Sequence, residues 1–437
     1  MKTLFKNRNY FLLFQGSLVS AIGTSLYSFA AGLYVQDLFG EDGGAVYLAL
    51  FMAVGIIVNI VFSPIAGVIA DKWNKIRILY VTDFIRSILF FITLYILTLG
   101  FEKEVLIWIL LGITALASFN QAFFGPAATA VIPEVVGEDL IQAANGANSI
   151  IGSAQGIFGV LAGMFLYAIL GFEMAVLINA ISFIFSAFSE MFIKTHFHDG
   201  KAESLTTVKA FFQDIKFGFK YLIGKEGLLT MMLFSLVLNF AFSPLFGVGI
   251  PYLFRTELNA SAYELGAIDI VFSVTMLFAG IIVGGMKIKS LSKSIKKGIA
   301  YLSSSFVFAS ILIVLVTYNI IGYWWFFGLF IFANILLAIF MMFTNIPLNT
   351  GMMKAIEPKV RGRVFATIGA LSQGAIPLAV IGAGFLVNKF NVAVLGIVCS
   401  VLVIITTIGI IGNKKVEALL NNIETKEKLA LEQTKAI

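Results

Sequence analysis

The chain has 437 residues, of which 59% are hydrophobic and 12% charged, and its formal net charge is +6. Soluble globular domains carry about 25% charged residues, so that class is excluded. Uncharged runs long enough to cross a ~30 Å hydrocarbon core as helix recur along the sequence, which makes this an all-α polytopic membrane protein.

Twelve transmembrane helices are predicted. In the first half they cover roughly Tyr10–Gln36, Ala45–Ala70, Ile78–Gly100, Val105–Val131, Ile141–Leu170 and Glu173–Ile193. In the second half they cover Leu228–Phe254, Ala262–Met286, Gly298–Thr317, Gly322–Gly351, Val364–Val387 and Val392–Gly412. The expected domains are a six-helix bundle over 1–193, a cytoplasmic linker over 194–227, a second six-helix bundle over 228–412 and a cytoplasmic tail over 413–437. No cleavable leader pattern precedes span 1, which is expected to serve as its own insertion signal. The single Cys399 falls in a late apolar run and excludes an internal disulfide framework.

The linker contains Val208, Phe211, Phe212, Ile215, Phe219 and Leu222 at helical spacing, with Lys209, Asp214, Lys216 and Lys220 between them. That pattern predicts an amphipathic helix over Leu205–Ile223 lying on the membrane surface; a solvated linker is the alternative. Orientation follows from the loop cations. With the N-terminus inside, 26 of the 30 Lys and Arg residues face the cytoplasm, as do both termini. Only Lys103, Arg255 and Lys389 fall on the other side, and Arg86 lies within a span. The basic excess is therefore a topology signal, and no nucleic-acid partner is expected.

The two halves echo each other. Phe124-Gly-Pro126 followed by Pro133-Glu134 and a Gly-rich helix matches Asn345-Ile-Pro347 followed by Glu357-Pro358 and another Gly-rich helix, about half the chain later. Spans 4–5 thus pair with spans 10–11, as in two six-helix repeats.

Between spans 2 and 3 lies a charged hinge, Gly67-Val-Ile-Ala-Asp71-Lys72-Trp-Asn-Lys75-Ile-Arg77. Its spacing resembles the loop signature of the major facilitator superfamily, Gly-x-x-x-Asp-Arg/Lys-x-Gly-Arg/Lys-Arg/Lys. Asn74 stands where the signature prefers Gly, and Ile76 interrupts the basic run. The matching hinge of the second half, near 280–297, has Gly284 where the Asp would fall. Four further stretches resemble the macrolide-efflux and enterobactin-exporter-like branch: Asn7-Arg8-Asn9-Tyr10, Thr82-Asp83-Phe-Ile-Arg86, Pro126 to Glu134, and Arg361-Gly362-Arg363. The resemblance implies alternating access between two bundles, export from the cytoplasm and proton antiport.

A charge inside a span costs about 2.5–3.5 kcal/mol on insertion scales and faces protein or water. Asp83, Arg86, Glu190 and Asp269 are such charges. Asp83 and Arg86 are i and i+3 on span 3 and share one face. They are read either as a gate element engaging the Asp71–Lys75 hinge or as a static pair. Glu190, four residues before Lys194, is expected to form an interfacial i,i+4 pair with it. Asp269 has no Lys or Arg within one turn of its own helix, so it is the candidate for proton coupling, with an outer-vestibule carboxylate in water as the alternative.

Polar groups near mid-span are candidates for lining a solute cavity: Thr24, Tyr27, Asn120, Gln121, Gln155, Asn239, Asn334 and Gln373, with Phe124 beside the span 4 amides. Each is also a plausible interhelical hydrogen-bonding group. Spans 1, 4, 7 and 10 line the cavity in the proteins the chain resembles. Pro244 and Pro251, with Gly247 and Gly249, predict a kink or break in span 7 and a possible outer gate.

Enzyme chemistry finds no support. His196-Phe-His198-Asp199 is the only imidazole cluster and lacks the further ligands a metal needs, and no phosphate-cradling loop appears. The expectation is a monomeric secondary transporter of a bacterial cytoplasmic membrane. It would export amphipathic, drug- or macrolide-like molecules with no cofactor and the proton gradient as energy source. The alternatives are an exporter of a siderophore-like metabolite, a lysolipid transporter, or a receptor or scaffold that moves nothing.

Overall fold

Every regular element is a helix in the computed structural model, which describes residues 2–137, 140–194, 208–286, 290–357, 360–422 and 425. A short α1 (Lys2–Lys6) precedes α2 (Arg8–Phe39), α3 (Gly44–Lys72), α4 (Lys75–Leu97), α5 (Lys103–Val136), α6 (Ile141–Ala154) and α7 (Val160–Met191). Next come α8 (Val208–Ile223), α9 (Glu226–Pro244), α10 (Ile250–Tyr252) and α11 (Ala262–Gly285). The chain continues through α12 (Leu291–Thr317), α13 (Tyr323–Ala355), α14 (Arg361–Lys389) and α15 (Val392–Ile411).

The helix starts follow from capping chemistry. The Asn7 Oδ1 accepts from the backbone N–H groups of Asn9 and Tyr10 at 3.0 and 3.2 Å, satisfying two orphan donors of α2. Asn74 does the same for α4, its Oδ1 accepting from the Arg77 N–H at 3.0 Å. The residue that departs from the hinge signature is thus the cap that starts the third membrane helix. Asn74→Ala is expected to cost about 1 kcal/mol, measurable as a lower thermal midpoint of the detergent-purified protein, whereas exposed Asn422→Ala should leave it unchanged.

Eleven helical stretches of the described residues are long and apolar enough to cross a membrane. One of them, Gly146–Met191, has 46 residues. Unbroken it would run about 69 Å at 1.5 Å per residue, over twice the hydrocarbon core. It is interrupted at Gly171, where φ is +80° and ψ −177°, a backbone state open to glycine but not to a side-chain-bearing residue. That position lies between the fifth and sixth predicted spans. In span 7, wide i→i+5 turns occupy Leu245–Gly249 and Leu253–Glu257, directly after Pro244 and around Pro251, where the helix was expected to be irregular. A third wide turn, Gln155–Gly159, lies between α6 and α7.

The chain divides into two compact units, Met1–Phe211 with Pro251–Ile270, and Phe212–Ile250 with Val271–Ile437. The sequence division assigned 251–270 to the second bundle. Its contacts carry it to the first: Arg255 pairs with Asp37, the Tyr263 ring meets that of Phe165 at 5.5 Å, and Gly266 packs on Met164.

In the first unit α2 and α7 approach through small residues. A Cβ on Gly23 would lie 2.2 Å from the Ser182 Oγ, and one on Gly163 would lie 2.9 Å from the Leu26 carbonyl. Without a hydrophobic force between helices in lipid, such close backbone contact is what holds membrane bundles together. The Ser87 hydroxyl of α4 donates to the Ala180 carbonyl of α7 at 2.9 Å, adding the third helix to this pair.

In the second unit the predicted amphipathic helix is present as α8, but it is not simply laid on a surface. Gly218 sits against Thr367, Asp214 pairs with Arg363 at 3.2 Å, and Leu222 is fully buried in the unit's core. Phe212, Phe219 and Ile223 stay exposed. The start of the tail also folds into this core. Residues 414–422 are helical, Val416 and Leu420 are buried beside Met231, Leu291 and Met352, and Glu417 pairs with Lys296 at 2.8 Å. That ammonium holds the exposed Glu417 carboxyl below its usual range. All four tryptophans are exposed: Trp73 and Trp108 each at 62%, Trp324 at 73% and Trp325 at 76%.

Candidate functional site

One face of α4 carries Asp83, Arg86, Ser87 and Phe90, at i, i+3, i+4 and i+7, and all four are buried. That face turns toward α7 and α5. Arg86 donates to the Asp83 carboxylate and, through Nη1, to the Gln121 Oε1 of α5. Its guanidinium carbon lies 4.6 Å from the Phe124 ring centroid and 4.4 Å from that of Phe183, so two aromatic faces enclose it.

A second carboxyl completes the cluster. Glu190 of α7 is fully buried, Asp83 and Arg86 are the charges that act on it, and Ser186 lies beside both carboxyls. Among the described residues neither Glu190 oxygen has a hydrogen-bond partner, and Asp83 Oδ2 and Arg86 Nε lack one too. The expected Glu190–Lys194 pair does not form. Glu190 shares the inward face of α7 with Phe183, Ser186 and Ala187, while Lys194 is exposed and its backbone is held by Asn9. Sequence spacing along one helix does not reveal which face another helix will cover.

Beside the cluster opens a cavity of about 430 Å³, contained in the first unit. Ser17, Ser20, Thr24 and Tyr27 of α2 line it, with Arg86 and Phe90 of α4, Thr114, Ser118, Gln121 and Phe124 of α5, Asn148 of α6, Gln155 and Phe183. Thr24, Tyr27, Gln121, Phe124 and Gln155 are the sequence candidates brought together here. Asn120 is turned away, buried and donating to the Leu116 carbonyl at 2.9 Å. The other three belong to the second unit. Asn239 is exposed and donates to the Ser235 carbonyl at 2.9 Å, Asn334 is buried and donates to the Phe330 carbonyl at 2.8 Å, and Gln373 is exposed.

At the hinge, Gly67 lies within α3, where a Cβ would meet nothing within 4 Å. The side chains of Asp71 and Lys72 lie outside the described residues, as do His196, His198 and Asp199. Lys75 Nζ binds the Glu134 Oε1 at 2.6 Å, tying the start of α4 to the end of α5. The Asp83 carboxylate is bonded to Arg86. Asp269 is partly buried in the first unit and makes no hydrogen bond or ion pair among the described residues.

A further network was not anticipated. Asp37 of α2 is held by Arg255, whose Nε donates to Oδ1 at 3.1 Å, and by the Tyr167 hydroxyl, which donates to Oδ2 at 2.6 Å. Arg255 Nη1 also donates to the Ala260 carbonyl at 2.7 Å, and Thr256 donates to the Gln36 Oε1 at 3.1 Å. The available signal was the isolation of Arg255 among very few basic residues outside the cation-rich loops.

The sequence profile of the Major Facilitator Superfamily matches residues 84–380. The chain belongs to this superfamily. The transporter is 22% identical over 392 residues to macrolide efflux protein A of Streptococcus pyogenes, covering 88% of this chain and 90% of that protein. It is 26% identical over 416 residues to the putative bacilysin exporter BacE of Bacillus subtilis, covering 91% and 94%. Its fold is shared by a bacterial homologue of the iron transporter ferroportin, with a TM-score of 0.74 and 13% identity over 93% of this chain and 99% of that one. The protein is therefore a multi-pass transporter of a bacterial cell membrane with a small-molecule cargo, and not an enzyme.

Proposed function

We propose that this transporter exports amphipathic small molecules in exchange for protons, with the cargo bound in the first-unit cavity against Arg86, Gln121, Phe124 and Gln155. The lining carries the reading: aromatic rings supply apolar faces, while amides and hydroxyls supply a few orienting hydrogen bonds. About 430 Å³ lies within the ~300–1,000 Å³ range of drug-sized sites. The direction and the cargo class draw support from the relatives named for macrolide efflux and bacilysin export. A proton crossing ~100 mV yields about 2.3 kcal/mol, enough for roughly a 50-fold solute gradient.

Flux in proteoliposomes tests the reading. An imposed pH gradient should drive accumulation of erythromycin or ethidium, and a protein that moves neither, nor any comparable amphipathic solute, would be a receptor or scaffold. Asp269, a partly buried carboxyl without a partner among the described residues, is the candidate to carry the proton across. Asp269→Asn should reduce pH-driven accumulation about fivefold or more while leaving solute affinity in place. Undiminished accumulation removes Asp269 from coupling.

A further inference from the structure

In the second unit α12 and α15 pack side by side, and between them lies a groove of about 450 Å³. Its walls are Val307, Phe308 and Ile311 of α12 with Ile404 and Ile408 of α15; Ile311, Ile404 and Ile408 are exposed. At its floor the buried Ser303 and Thr407 hydroxyls bond each other, and Ser304 donates to the Ala300 carbonyl at 2.9 Å. These hydroxyls are spent on protein partners, so the groove offers a ligand apolar surface, unlike the first-unit cavity with its amides. From Ala300 to Ile311 it runs about 16 Å at 1.5 Å per residue, close to half of the ~30 Å hydrocarbon core. That is the depth of one leaflet.

Lysines stand at one end of the groove. Lys293, Lys297, Ala300, Ser304, Val307 and Ile311 fall at i, i+4, i+7, i+11, i+14 and i+18, which is one face of α12. Lys293 and Lys297 are exposed and continue the groove's line beyond its apolar walls. Lys414 reaches the same end from α15. It follows Ile408 by six residues and opens the helical stretch 414–422, whose Glu417 bonds Lys296 at 2.8 Å. That pair neutralises Lys296 and Glu417, whereas Lys293, Lys297 and Lys414 have no ion pair among the described residues. A second copy of the chain is disfavoured as occupant, because a two-fold contact would set the lysines of both copies against each other.

We propose that this groove binds an anionic diacyl phospholipid, with an acyl chain along α12 and α15 and the headgroup phosphate at Lys293, Lys297 and Lys414. A lysine beside the membrane is worth about fivefold in affinity for anionic lipid. A zwitterionic lipid has the same chains, but its own cation offsets its phosphate. A free phosphate has the charge without the chain. Bound lipid clamps α12, α15 and the start of the tail together. The site lies outside the first-unit cavity and does not depend on the export reading.

The test is lipid retention by the full-length, delipidated, detergent-purified protein, read by native mass spectrometry. Offered equimolar phosphatidylglycerol and phosphatidylcholine with identical chains, the wild type should keep phosphatidylglycerol with about tenfold preference. Its melting midpoint should rise with that lipid and not with inorganic phosphate. Lys293→Gln with Lys297→Gln should weaken phosphatidylglycerol about 25-fold, and adding Lys414→Gln about 100-fold, with phosphatidylcholine unchanged. Lys216→Gln with Lys220→Gln, an equal loss of charge at exposed positions of α8, should change nothing. Ser304→Trp, which fills the groove from its exposed wall, should release the lipid with every lysine in place. Size-exclusion profiles and melting curves establish that each variant is folded. Equal retention of the two lipids, equal loss in both lysine doubles, or undiminished retention in Ser304→Trp overturns the proposal. So does stabilisation by inorganic phosphate alone, and a mass of two chains that Ser304→Trp abolishes would give the groove to a second copy instead.

Discussion

Arg86→Met is expected to destabilise the protein by about 3–5 kcal/mol, the range found when one partner of a buried ion pair is removed. Among the described residues the guanidinium is the only cation bonded to Asp83 and the only one acting on Glu190. Without it, two buried carboxyls face each other, and Gln121, Phe124 and Phe183 lose the group they enclose. Solvent cannot screen the loss, because Glu190 and Asp83 are fully buried. The physical cause is tested by restoring neutrality: Arg86→Met combined with Asp83→Asn and Glu190→Gln should recover most of the stability, although not transport. Melting curves of the purified single and triple variants decide it. A single variant as stable as the triple would mean that the charges are compensated elsewhere.

The second large effect is expected at Asp37. Arg255→Asp places two carboxylates where an ion pair, reinforced by Tyr167, now joins α2 to the segment Pro251–Ile270. The Asp37 side chain is 37% exposed, so solvent discounts the change to about 2–3 kcal/mol, or roughly a 30- to 150-fold shift in the docking of that segment. A cysteine at buried Ala260, in a Cys399→Ser background, reports it. Its labelling by a membrane-impermeant maleimide should accelerate by that factor in Arg255→Asp. It should return close to the starting rate when Asp37→Arg is added. An unchanged rate would show that ring packing at Phe165–Tyr263 and the Gly266–Met164 contact hold the segment alone.

What was legible in the sequence had local causes. Membrane helices announce themselves through unbroken apolar runs, because the bilayer leaves the backbone no other partner. The Asp83–Arg86 pair was visible because i and i+3 share a helix face. Glu190 was misread because the same rule offered Lys194, four residues on, whereas the phase of α7 against α2 and α4 decided otherwise. Asp37 and Arg255 lie 218 positions apart, beyond any periodicity. Among the cavity candidates, residue type singled out Gln121 and Asn120 equally, yet neighbours on a helix point about 100° apart, and one lines the cavity while the other bonds its own backbone.

The four exposed tryptophans have a spectroscopic consequence. None lines the cavity, so the protein's native fluorescence reports on its surroundings rather than on its cargo. Lipids brominated along the acyl chain should quench the indoles that face hydrocarbon, while a bound solute should leave the emission nearly untouched. A cargo signal has to be built in. Phe90→Trp, in a chain whose four native indoles are replaced by phenylalanine, would put a single emitter on the cavity wall beside Arg86.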